Sequence, residues 1–146
     1  MMIAAGLVAR SAVKLGIKSK KPWIKLLLLH GAQVAMDYLE KSGLQKYLNA
    51  LVFNLVGYSC TTCIGNSSLL GKDVANDIKS KNLTVATVLS GDRNFKGRIH
   101  PLAKANCLVS HLLVIIYALA GTVRIDLTKD PICESIDGCG VYLKDL

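Results

Sequence analysis

A chain of 146 residues with 51% hydrophobic and 19% charged residues carries enough apolar material for a core, which excludes a disordered tail. Its formal net charge of +8 attracts polyanions or small polycarboxylates without choosing between them. Five cysteines (Cys60, Cys63, Cys107, Cys133 and Cys139) make an odd set, and no secretory pattern is read ahead of them. This speaks against a disulfide framework and for a reducing, cytoplasmic setting.

In chain order, residues 3–15 read as a helix: Ile3 and Leu7 lie one turn apart, Val8, Ala12 and Leu15 extend the apolar side, and Arg10 and Lys14 face water. Gly16 fits its stop. The early cations Arg10, Lys14, Lys18, Lys20, Lys21 and Lys25 precede the first acid, Asp37, and read as a solvated face and a basic loop rather than a transit peptide. Trp23 to Leu29 is expected to be a buried strand after Pro22. A helix follows through Val34, Tyr38 and Leu39. Ser42 and Gln45 have capping-box spacing before a further helix carrying Leu44, Tyr47, Leu48 and Leu51.

Leu55 to Tyr58 reads as a short strand that runs into the cysteine loop. Val74 and Ile78 mark a helix, and Leu83 to Leu89 a Val- and Thr-rich strand. Residues 90–98 form a polar loop. Leu108 to Ala120 is expected to be helical, with Arg124 to Leu127 a strand and Gly138 and Gly140 bracketing a turn. Cys107 to Val123 is nearly apolar, but Ser110 and His111 interrupt it and it sits at the short end of a membrane span. A buried helix is the expectation, with no membrane segment. Strands alternating with helices imply one α/β domain over residues 1–146 with a largely parallel sheet. Functional loops of such sheets gather at the carboxyl ends of strands, where both 60–63 and 92–98 fall.

Two segments carry chemistry. Cys60-Thr61-Thr62-Cys63 is a C-x-x-C, whose turn brings both sulfurs to one side for a soft metal centre or a redox disulfide. Structural zinc needs a second ligand pair, and His30, His100 and His111 are scattered. The loop Ser90-Gly91-Asp92-Arg93-Asn94-Phe95-Lys96-Gly97-Arg98 offers two guanidinium forks for carboxylate or phosphate. Read alone, it is equally a solvated surface loop.

Asn54-Leu55-Val56-Gly57-Tyr58 leading into Cys60-Thr61-Thr62-Cys63-Ile64-Gly65-Asn66-Ser67, then Ser90 to Arg98 running into Ile99-His100-Pro101, then Tyr117 to Thr122 and Val141 to Asp145, together resemble the aconitase family in its bacterial aconitase A and iron-regulatory-protein branch. Met2 to Ala9 and Asp37 to Leu44 are similar too, so the resemblance covers the whole chain.

The resemblance implies a three-layer α/β/α domain. It implies that Cys60 and Cys63 are two of three thiolates holding a [4Fe–4S] cluster, and that Arg93 and Arg98 bind carboxylates of citrate or isocitrate. The implied reaction is citrate–isocitrate isomerisation through cis-aconitate, a hydro-lyase step of the tricarboxylic acid cycle. The family's first cluster cysteine, in a Ser-Cys-Thr-Asn segment, has no match in this sequence, and its catalytic serine belongs to a later domain. The chain is therefore expected to be a fragment, inactive alone and completed only by companion fragments. The alternatives are a degenerate remnant or interaction module, and a thiol redox protein using Cys60 and Cys63. RNA is not expected as a partner, because aromatics are 5% and no stacking motif is present.

Overall fold

The computed structural model describes residues 1–17, 21–30, 33–53, 55–58, 70–91 and 99–146. Helix α1 spans Met2–Lys14. Its buried face overlaps the expected apolar side at Ala12, with Val8 and Leu15 packed against the core, but is shifted toward small residues. Ala5, Gly6, Ala9 and Ala12 are buried, whereas Ile3 and Leu7 are 48% and 39% exposed. The reason is close approach. Helix α1 lies between α5 (His111–Ala120) and α3 (Gln45–Ala50), and only small side chains let both backbones come near. A Cβ on Gly6 would lie 2.8 Å from Leu44 Cβ.

Helix α2 spans Gln33–Lys41 and α4 spans Lys72–Ser80. Helices α1 to α4 all end in one way. A residue with positive φ follows each C-cap: Gly16 (+69°), Gly43 (+67°), Val52 (+63°) and Asn82 (+46°). The next N–H then donates back along the chain, from Ile17, Leu44, Phe53 and Leu83 to the carbonyls of Ala12, Leu39, Leu48 and Ile78, at 2.9–3.0 Å. This is the Schellman closure, which satisfies carbonyls that the helix leaves orphaned. It also overturns the capping box expected at Ser42 and Gln45. Ser42 is taken into the end of α2 and donates its hydroxyl to the Leu39 carbonyl, while the Gln45 amide donates to Asn49 Oδ1. Helix α3 starts from Leu44 with no side-chain cap.

Strand β1 (Leu28–His30) pairs in parallel with β2 (Leu55–Tyr58), and α2 and α3 form the crossover between them. Strand β3 (Val85–Leu89) pairs in parallel with β4 (Ala103–Leu108), in register from Ala86 opposite Ala105 to Leu89 opposite Leu108. Strands β5 (Cys133–Glu134) and β6 (Gly140–Val141) close a short antiparallel hairpin, turned at Gly138. The chain is α/β with parallel pairing in its two main strand pairs.

Several local expectations are corrected. Trp23 is not in a buried strand. Ile24 N–H donates to the Lys21 carbonyl to make a turn, and the Trp23 ring is 59% exposed with its Nε1–H on the Gly121 carbonyl at 3.1 Å. The apolar run beginning at Cys107 divides: its start belongs to β4, and α5 begins only at His111. Residues 124–127 form no strand, because Asp126 accepts from the Thr128 N–H and hydroxyl and holds a local turn.

Helix α5 is apolar around most of its circumference, with Ile115, Ile116, Ala118 and Leu119 buried. These residues share one core with Ala9, Leu39, Leu44, Leu48, Leu51 and Phe53. At ten residues α5 cannot span a bilayer, and none of the described helices is long and apolar enough to do so.

Candidate functional site

Cys60, Cys63, Arg93 and Arg98 lie outside the described residues. What the fold describes is their anchorage. Strand β2 ends at Tyr58, directly ahead of the cysteine segment, and β3 ends at Leu89, directly ahead of the arginine loop. Both are strands of parallel pairs, and the carboxyl ends of such strands are where α/β folds place ligands. The far ends of both segments are also fixed. Helix α4 takes up the chain after the cysteine segment, with Gly71 as its N-cap. After the arginine loop, Ile99 is buried and β4 begins at Ala103.

Beside the start of α4 lies a cavity of about 320 Å³, lined by Trp23, Lys25, Leu26, Val52, Leu70 and Val74 among others. Its lining side chains are apolar except for Lys25. Burial holds the Lys25 ammonium below the usual lysine pKa. Next to Lys25 stands His100. Its Nδ1 accepts the Leu102 N–H at 3.1 Å, which leaves the ring proton on Nε2. Burial first, and the neighbouring Lys25 charge second, push the His100 pKa down, so the ring is neutral at pH 7. A neutral Nε2–H donor and a cation therefore stand at the base of the arginine loop. Sequence reasoning passes over this pair. The available signal is a lone cation in the apolar run Trp23 to Leu29.

Three cysteines lie among the described residues. Cys107 sits on β4 opposite Val88, not in a helix, and Cys139 is exposed in the hairpin turn. Burial raises the Cys133 thiol pKa, against a smaller opposite pull from Lys21. Among the described residues no three His, Cys, Asp or Glu side chains gather to hold a metal ion.

A family model, "Aconitase family (aconitate hydratase)", matches residues 1–121. The chain belongs to the aconitase family. Aconitate hydratase A of Pseudomonas aeruginosa, of Thermus thermophilus and of Escherichia coli are each 53% identical to it over 146 residues, all of this chain. The match takes up 16% of the length of each of those relatives. At 53% identity across all 146 residues, the similarity runs the length of the chain rather than resting on isolated motifs.

Proposed function

We propose that this chain is the part of an aconitate hydratase that supplies two cluster thiolates, Cys60 and Cys63, and two substrate-binding arginines, Arg93 and Arg98. The observation that carries this reading is identity of 53% to aconitate hydratase A over the full chain, with C-x-x-C and the Arg-containing loop each following a strand of a parallel pair. The cofactor is a [4Fe–4S] cluster, which when bound supplies a Lewis-acidic iron for hydroxyl removal. The thiolates of Cys60 and Cys63 hold it, and each needs to be deprotonated to do so. Arg93 and Arg98 orient citrate or isocitrate by forked hydrogen bonds to its carboxylates. The abstraction of a substrate proton needs a base within hydrogen-bond reach, and none of these four residues serves as that base. Turnover then depends on the other parts of an aconitate hydratase. The setting is cytoplasmic, and residues 1–146 act as one α/β/α unit.

The test is anaerobic reconstitution with ferrous iron and sulfide, followed by iron counting and visible absorption. Iron bound by the chain and lost in Cys60→Ser and Cys63→Ser supports the reading. Binding of citrate that weakens in Arg93→Gln and Arg98→Gln supports the substrate half independently. Failure to bind iron, together with a reversible disulfide between Cys60 and Cys63, would replace it with a thiol redox function.

A second reading, an interaction module without catalysis, is favoured by one observation. Large apolar side chains stand in water, Ile136 at 72% and Trp23 at 59% exposure among them. A monodisperse monomer at high concentration would count against it.

A further inference from the structure

We draw no further inference here: the strongest candidate, the cavity between the Pro22–Leu26 segment and the start of α4 with Lys25 on its wall, carries nothing because Lys25 already has a partner and because Leu70 and Gly71, on its other side, border the cysteine segment of the site already described.

Discussion

Replacing Gly6 by alanine tests how α1 is seated. Substituting alanine for glycine inside a helix ordinarily stabilises by about 1 kcal/mol. In this helix the new Cβ meets Leu44 Cβ at 2.8 Å, Cδ1 at 3.0 Å and Cγ at 3.3 Å. A terminal methyl could swing aside, but a Cβ moves only with its backbone. The Leu44 backbone is pinned: its N–H donates to the Leu39 carbonyl, and its own carbonyl accepts from Tyr47. Overpacking of this kind costs about 1–3 kcal/mol. Set against the propensity gain, Gly6→Ala should lower stability by about 1 kcal/mol. For a chain of this length that is a fall in Tm of about 3–5 °C. Urea titration followed by far-UV circular dichroism reads the change, with an unaltered m-value showing that the compactness of the two states is kept. A rise in the midpoint would refute the close approach of α1 to Leu44.

Val52 is β-branched and left-handed, which costs about 1–2 kcal/mol. Glycine relieves this at an entropic cost of about 0.5–1 kcal/mol, so Val52→Gly should raise the urea midpoint by the equivalent of about 0.5–1 kcal/mol. A lower midpoint would show that Val52 packing outweighs its strain. Leu39 is fully buried, and Leu39→Ala should cost about 2–5 kcal/mol in the same titration; a loss under about 1 kcal/mol would deny it a place in the core. His100 and His111 both have pKa values below that of a free histidine, His100 by burial and Lys25, His111 by burial and the N-terminal amine. The unfolded chain therefore takes up their protons first, and stability falls as pH drops below about 6.5. A His100→Asn, His111→Asn double variant should show a flatter decline in Tm between about pH 7 and about 5.5, and an unchanged slope would contradict the lowered pKa values.

Helix ends are legible in the sequence where glycine makes the turn, as at Gly16. They are not legible at Val52, because nothing in a β-branched residue announces a left-handed conformation. Ser42 and Gln45 match a capping pattern, yet Gly43 between them draws Ser42 into the preceding helix. Pattern matching does not weigh two competing motifs over the same residues. Helix α1 is legible as a helix and only partly in its orientation: Val8, Ala12 and Leu15 turn to the core as expected, but Ile3 and Leu7 do not, because size as well as hydrophobicity decides which face two neighbouring helices can approach. Strand β4 is hidden by Lys104 and Asn106, polar residues in a partly exposed strand, and by the apolar run that masks its junction with α5. Arg124 to Leu127 has strand-like composition, but Asp126 prefers hydrogen bonds within its own turn. The site is legible as two motifs at strand ends. Lys25 and His100 are not, since their proximity is made by tertiary packing and by no local spacing.

The sequence has one tryptophan, and its indole N–H holds the carbonyl of Gly121, 98 residues away, with the Lys21 ammonium 5.9 Å from the ring centre. Its emission therefore reports on the seating of the 21–24 turn, against the C-cap of α5 on one side and the cavity beside α4 on the other. That gives an optical readout of tertiary closure that needs no label, and one that can be followed while iron, sulfide or citrate is added.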